Sequence, residues 1–357
     1  MSVTPCGFAR TPEKGLARLH WADAGWAVEG QPPDVAALRP LRGLEVEWPD
    51  APVPLDGLLR LAAAGIPLTA DRAMPWAPAG LAALLTDRAW LDHAADGTAG
   101  CLADLRREEH SVRLRRLAHP IPTPKVSIVM STKRPGLVGA ALAQMERQRG
   151  VETEVLLGLH GVAFEQVRAA VEGSALPVKW VEADASVPFG EVLNRAAALA
   201  SGDYLAKWDD DDWYGPRHLA DLFMALTYAG ADVVGTTAEF FYLEPLKATI
   251  RRTTFASGAG YPSEVWSDHV AGGTIVVSLV KFREIGGFPG VFRAVDLEFL
   301  KAAHQAGARI YRTHGLGYVL RRGLSDEHTW QLPLAHFLKV AANQWRGFRP
   351  SLLMEAA

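Results

Sequence analysis

Cysteine is nearly absent: Cys6 and Cys101 are the only two in the chain. They stand too far apart for metal-type spacing, and read as free thiols of a reducing compartment or as one disulfide. No run of about 18 apolar residues occurs, so no transmembrane segment is expected. The start Met1-Ser2-Val3-Thr4-Pro5 lacks the basic stretch and apolar core of a signal peptide, which points to a cytoplasmic location. Neither sign of charge dominates. At a formal net charge of −3 there is no basic excess to neutralise phosphates, so nucleic acid is not an expected partner. Internal repeats and low-complexity tracts are also missing. What is there is ordinary globular material: 357 residues, 49% hydrophobic and 22% charged. That length suggests about two domains.

The densest chemistry lies in four consecutive aspartates, Asp209-Asp210-Asp211-Asp212, directly after the apolar run Tyr204 to Trp208. At ~5 Å and an effective dielectric of ~20 each like-charge pair costs roughly 3 kcal/mol. Lys207 alone does not offset that, so the tract asks for full exposure or a bound cation. A strand-like segment precedes it and a helix-like one follows from Pro216, the kind of junction where α/β proteins bind ligands. In an extended tract Asp209 and Asp211 would share one face and Asp210 and Asp212 the other. Two carboxylates on one face suit a hard divalent cation, Mn²⁺ or Mg²⁺, with room left for phosphate oxygens. A calcium loop counted from Asp210 puts Gly215 at its sixth position. It fails elsewhere: Tyr214 replaces a ligand, Asp221 stands where a bidentate Glu belongs, and a strand precedes it.

A break falls at His119-Pro120-Ile121-Pro122-Thr123-Pro124, where alternating prolines read as an extended linker. The expected organisation is an N-terminal accessory α/β module over 1–119, the linker over 120–125, a main domain over 126–345 and a C-terminal tail over 346–357. The module carries a strand at Leu44–Trp48, a helix at Leu55–Ala64 and an Arg-rich helix at Leu102–Leu117. The last is expected to present a solvated or docking face. In the main domain, strands at Val126–Met130, Glu154–Leu159, Pro177–Val181 and Tyr204–Trp208 alternate with helices at Leu137–Gln148 and Glu191–Ala200. Such alternation implies βαβ units and a largely parallel sheet. Strands at Asp232–Gly235, Thr249–Thr253 and Thr274–Ser278 follow, then a helix at Asp296–Ala306 and an extended segment at Arg309–Leu320.

Four stretches in order resemble family 2 glycosyltransferases of the GT-A fold. They are Val126 to Thr132, Asn194 to Asp212 (NRAAALASGDYLAKWDDDD), Gly286-Gly287-Phe288, and Asp296-Leu297-Glu298. The resemblance covers about 125 to 330 and implies a mixed, mainly parallel central sheet. The function it implies is inverting, metal-dependent transfer of a sugar from a nucleotide-sugar, by default a UDP-sugar, to an acceptor hydroxyl. Asp209 would then lie near the donor ribose and metal, and Asp211 would hold the metal bridging the diphosphate. Asp296 matches the catalytic base, with Val295 in place of the usual Glu; an N-cap for its own helix is the rival role. The N-terminal part faintly resembles a truncated nucleotide-binding half of GT-B glycosyltransferases.

Further residues follow from the same resemblance. Ser131, Thr132, Lys133 and Arg134 end the first strand, where the family's loop contacts the nucleotide. Asn194 and Arg195 belong to a donor-contacting helix. The second strand ends in His160 where the family has an acid, and Asp184 is the candidate to replace it. Asp210 is counted with the donor contacts, Arg321 and Arg322 with the diphosphate, and His328 with the metal. His269, Ala271-Gly272-Gly273 and the tryptophans Trp213, Trp266 and Trp330 border sugar or acceptor, or simply pack. The acceptor class stays open among glycan, lipid-linked and small-molecule hydroxyls. Two alternatives accompany this reading: a catalytically degenerate nucleotide-sugar-binding or scaffold protein, and a sugar-nucleotide pyrophosphorylase. For the pyrophosphorylase the loop Lys133-Arg134-Pro135-Gly136 is too short.

Overall fold

The computed structural model describes residues 3–23, 25–91, 101–120, 122–255, 257–323 and 333–354. The chain forms two units. The first comprises Met1–Pro120 together with Arg252–Glu264 and Val340–Asn343; the rest makes the second. Both cysteines are free thiols.

In the first unit, strands β1 (Lys14–Ala22), β2 (Gly25–Val28), β3 (Leu41–Glu47) and β4 (Leu68–Thr69) form a sheet ordered β2-β1-β3-β4. The β1–β3 and β3–β4 pairs are parallel and β1–β2 is antiparallel. Helices α1 (Val35–Leu38), α2 (Asp56–Ala63), α3 (Ala79–Thr86) and α4 (Leu102–Ala118) accompany it. The core gathers Leu19, Leu44, Leu58, Leu81, Leu85 and Leu114. Of the solvated or docking face expected of helix α4, the solvated alternative does not hold, because Arg107, Glu108, Glu109, His110 and Arg115 are all buried. Each is partnered. Arg107 donates to the carbonyls of Arg42 at 2.5 Å, Ala9 at 2.7 Å and Leu41 at 2.9 Å. Glu108 meets Arg10 at 3.3 Å, Glu109 meets Arg106 at 2.6 Å, and Arg115 meets Glu264 at 2.5 Å. His110 Nε2 lies 2.8 Å from the Leu68 carbonyl, and burial pushes its pKa down to about 4. Charge counted along a helix cannot show such partners, four of these seven being backbone carbonyls.

The second unit is built around β5 (Lys125–Thr132), whose residues after Lys125 are all buried, as a strand covered on both faces requires. After it come β6 (Glu152–His160), β7 (Val178–Ala183), β8 (Tyr204–Lys207), β9 (Trp213–Tyr214), β10 (Val233–Thr236), β11 (Phe240–Leu243) and β12 (Ala248–Arg252). The remaining strands are β13 (Val265–Trp266), β14 (Val276–Ser278), β15 (Ile310–Thr313), β16 (Tyr318–Arg322) and β17 (Ala341–Arg346), the first three residues of β17 being counted with the first unit. Helices are α5 (Val138–Glu146), α6 (Arg168–Glu172), α7 (Phe189–Ala197), α8 (His218–Ala229), α9 (Leu279–Ile285), α10 (Val295–Gln305) and α11 (Leu334–Lys339). Eight strands make a mixed sheet, β13-β15-β10-β14-β8-β5-β6-β7. Within it β5, β6, β7 and β8 run parallel, while β14 is antiparallel to both β8 and β10.

A five-stranded sheet, β17-β12-β11-β16-β9, stands apart from it. The extended segment expected over Arg309–Leu320 is therefore two strands in two sheets. The turn between them needs Gly315, where a Cβ would sit 2.3 Å from the Thr237 carbonyl oxygen. Within the stretch expected as a tail, Leu353 is buried, and its carbonyl oxygen would lie 3.2 Å from a Cβ at Gly215.

One buried carboxylate pins β5, β6 and β7. Glu154 Oε1 accepts from Ser127 Oγ and from the Ser201 N–H, each at 2.6 Å, and Oε2 meets Lys179 Nζ at 2.7 Å. Burial would raise the Glu154 pKa, but Lys179, Ser127 and Ser201 together pull it down to about 2. A depressed folded-state pKa stabilises above the unfolded value and loses that stabilisation as pH falls through the folded one. Glu154→Gln is thus expected to cost roughly 2 kcal/mol at pH 7, with the difference from wild type vanishing near pH ~2. Urea unfolding across pH 2–7 checks this.

Candidate functional site

Strand β8 ends at Lys207, and the chain bends at 210–212 before entering β9. Trp208 fixes the bend. It is buried and stacks on Tyr214, ring centroids 3.6 Å apart. The strict two-face alternation expected for the aspartates therefore does not hold, since one guanidinium reaches two neighbours. Arg134 Nε lies 3.2 Å from Asp210 Oδ2, and its Nη2 also bonds Asp210 Oδ1. Its Nη1 lies 3.0 Å from Asp211 Oδ2. The Thr132 hydroxyl also donates to Asp210.

Each outer aspartate has its own partners. Asp212 accepts from the Tyr318 hydroxyl and, at 2.9 Å, from the Arg321 N–H, which ties the tract to β16. Burial, and then the adjoining Asp211, push the Asp212 pKa up to about 7. Asp209 faces Lys207, whose Nζ lies 2.6 Å from its Oδ1. The same Nζ lies 3.0 Å from Asp296 Oδ1. Burial alone would lower the lysine's pKa; Asp209 and Asp296 reverse that and raise it. Lys207 and Arg134 together offset part of the charge deficit expected of a lone lysine, two cations set against Asp209, Asp210, Asp211 and Asp296.

Asp296 comes from the first turn of α10, where the helix dipole favours a carboxylate. It is not the N-cap. That position is Ala294, in a left-handed conformation at φ 58°, and no side chain caps the helix. Burial raises the Asp296 pKa, opposed by Lys207. Two glycines make room for the pair of carboxylates. A Cβ at Gly272 would sit 2.2 Å from Asp296 Oδ2, and one at Gly273 would sit 2.6 Å from Asp209 Oδ2. Tyr214 closes the arrangement: its hydroxyl accepts from the Asp209 N–H at 2.9 Å and donates to the Gly273 carbonyl at 3.0 Å.

Other expected site residues are placed apart from this cluster or already engaged. Asn194 spends its amide on the Gly-Gly-Phe turn, donating to the Phe288 carbonyl at 2.7 Å and accepting from its N–H at 2.8 Å. Arg195 pairs with Glu191 on the surface at 3.3 Å. Arg321 pairs with Glu244 at 2.5 Å. Asp184 is exposed, its carboxylate accepting from the Ser186 N–H at 2.9 Å. His160 is buried at the end of β6, 3.2 Å from the Ala185 carbonyl, and burial and then Lys133 lower its pKa. Lys133 and His269 are exposed. Ser131 is buried, with no hydrogen-bond partner for its hydroxyl among the described residues. Trp213 packs edge-on against Tyr242 at 5.8 Å, whereas Trp266 is exposed. His328 and Trp330 lie outside the described residues. Sequence reasoning missed Tyr214 and Tyr318, and it missed the bridging role of Lys207. A lysine inside an otherwise buried strand was the available signal.

Asp209 and Asp211 offer hard oxygens of the kind Mg²⁺ and Mn²⁺ take. Among the described residues no three His, Cys, Asp or Glu side chains gather as a metal-holding group. The donor set thus fits a cation that draws most of its coordination from a bound ligand and water. Also among the described residues, no helix is long and apolar enough to cross a membrane.

No protein-family model matches the chain, and no curated protein does. Solved structures similar to it include S. aureus TarS 1–349 in complex with UDP-GlcNAc, at 16% identity and a TM-score of 0.45, covering 60% of this chain and 64% of that one. Another is the mannosyltransferase PcManGT from Pyrobaculum calidifontis in complex with GDP-Man and Mn²⁺, at 18% identity and a TM-score of 0.45, covering 70% and 66%. The matches span just under two thirds of both structures' chains. A likeness of that size carries no argument about activity.

Proposed function

We propose that the chain is an inverting, divalent-metal-dependent glycosyltransferase of the GT-A, family 2 type, moving a hexose from a nucleotide-sugar to an acceptor hydroxyl. The observation that carries the reading is the meeting of Asp209 and Asp296, from different elements, on the single ammonium of Lys207. Asp210 and Asp211 adjoin them at the carboxyl end of β8, in a mixed, mainly parallel sheet of the kind the resemblance implies.

In this reading Asp209 and Asp211 hold the cation on the donor side. When bound, that cation supplies Lewis-acid stabilisation of the negative charge on the departing nucleoside diphosphate. Asp296 accepts the proton of the acceptor hydroxyl as that oxygen bonds the anomeric carbon from the opposite side to the leaving group. Arg134, already beside Asp210 and Asp211, stands where it can meet diphosphate oxygens. A UDP-sugar is the default donor from the resemblance. Asn194, Arg321 and Asp184 enter this proposal only if donor binding rearranges their present bonds. The acceptor stays open, and a cytoplasmic location belongs to the proposal.

The test is thermal stabilisation by a panel of UDP- and GDP-sugars with and without Mn²⁺. A ligand at about 100 times its Kd adds ~2.7 kcal/mol to the native state. At least one nucleotide is expected to stabilise the wild type in a Mn²⁺-dependent way, and Asp211→Ala is expected to abolish the Mn²⁺-dependent part. Failure of every nucleotide in the presence of metal would sink the transferase reading.

A further inference from the structure

We infer that Lys207 is a positioning residue that sets the gap between the donor-side carboxylate and the base, an inference that rests on the transferase reading. Lys207 is buried in a strand whose neighbours Leu205, Ala206 and Trp208 are also buried. A buried ammonium is costly unless paired, and this one has Asp209 at 2.6 Å and Asp296 at 3.0 Å. Both carboxylates are therefore drawn to one point, from a bend after β8 and from the first turn of α10.

Their far sides are closed as well. Asp296 Oδ2 lies against Gly272, and Asp209 Oδ2 against Gly273, each too close for any Cβ. Each carboxylate is thus held between the ammonium and a glycine of one dipeptide. Tyr214 links the Asp209 N–H to the Gly273 carbonyl and so ties the tract to that same dipeptide. Apart from the ion pair, Asp296 Oδ1 is buried without a hydrogen-bond partner among the described residues. Nothing else described holds that oxygen. Without Lys207 the two carboxylates would face each other as like charges and move apart. The base would then lose its register with the donor, and a shift of about 1 Å is enough to cost about 100-fold in rate.

Lys207→Met keeps the length of the side chain and removes its charge. It is expected to lower kcat about 100-fold on the nucleotide-sugar that the wild type turns over. With Asp211 and Arg134 left in place on the donor side, the donor KM and the Kd for UDP with Mn²⁺ are expected to change far less than kcat. An unchanged kcat would overturn the inference, and so would UDP binding lost in parallel with turnover, which would make Lys207 a donor-site residue. A second measurement needs no donor and guards against a poorly folded variant. Asp296→Asn is expected to lower the melting temperature in the wild-type background and to raise it in the Lys207→Met background, where it removes one of two facing charges. Equal shifts in both backgrounds would overturn the inference. A wild-type protein that binds no nucleotide yet shows the change of sign would sink the transferase reading, and the positioning role with it, while leaving the three-residue ion pair standing.

Discussion

Asp296→Asn is expected to lower turnover about 100- to 10,000-fold while leaving metal-dependent nucleotide binding in place. Asparagine matches aspartate in shape, so the contact to Lys207 Nζ at 3.0 Å keeps an oxygen acceptor. What disappears is the group that takes the acceptor's proton. The helix itself does not depend on Asp296 as a cap, because Ala294 occupies that position. A fall in rate would therefore report on chemistry rather than on fraying of α10. Steady-state transfer together with thermal shift by the donor separates the two contributions, and unchanged turnover would remove Asp296 as base.

The largest expected loss of stability lies in the first unit, on Arg115→Met. Arg115 and Glu264 are both fully buried and meet at 2.5 Å. Removing one partner of a buried ion pair typically costs 3–5 kcal/mol, about a fifth of a domain's stability or more. Glu264 also sits at φ 56°, a left-handed conformation that a non-glycine residue holds only when its surroundings insist. Exposed pairs provide the contrast. Arg168 meets Glu165 at 2.8 Å and Glu172 at 3.0 Å on the surface, where solvent screening leaves such pairs little effect on stability. Urea unfolding of Arg115→Met beside Arg168→Ala would show whether burial sets the scale. A loss below ~1 kcal/mol for Arg115→Met would refute that reasoning.

Periodicity made the alternating strands and helices of the second unit legible. Segments expected at Val126–Met130, Glu154–Leu159 and Tyr204–Trp208 correspond to β5, β6 and β8, with ends moved by a residue or two. The two-residue strands β9 and β13 were not legible, because so few residues carry no period. The antiparallel sense of β14 was hidden too, since strand direction depends on the path of the chain and not on local composition. At the site, the aspartates, Arg134 and Asp296 were all visible as residue types. Their pairing was not. That Arg134 meets Asp210 and Asp211, or that Lys207 joins Asp209 to Asp296, depends on contacts between distant parts of the sequence. The buried charges of α4 were misjudged for the same reason: several of their partners are backbone carbonyls, which composition cannot rank.

The first unit needs chain that is made long after Pro120. Its Arg115 requires Glu264, and its Arg10 bonds the Tyr261 carbonyl at 2.8 Å and Ser263 Oγ at 3.2 Å. On a ribosome adding 5–20 residues per second, those partners emerge roughly 7 to 50 s after the residues they serve. The N-terminal unit therefore waits for these contacts of Arg115 and Arg10 until much of the second unit has been synthesised. Its completion is a late event of translation, and the usual N-to-C order of domain folding is reversed in its final step.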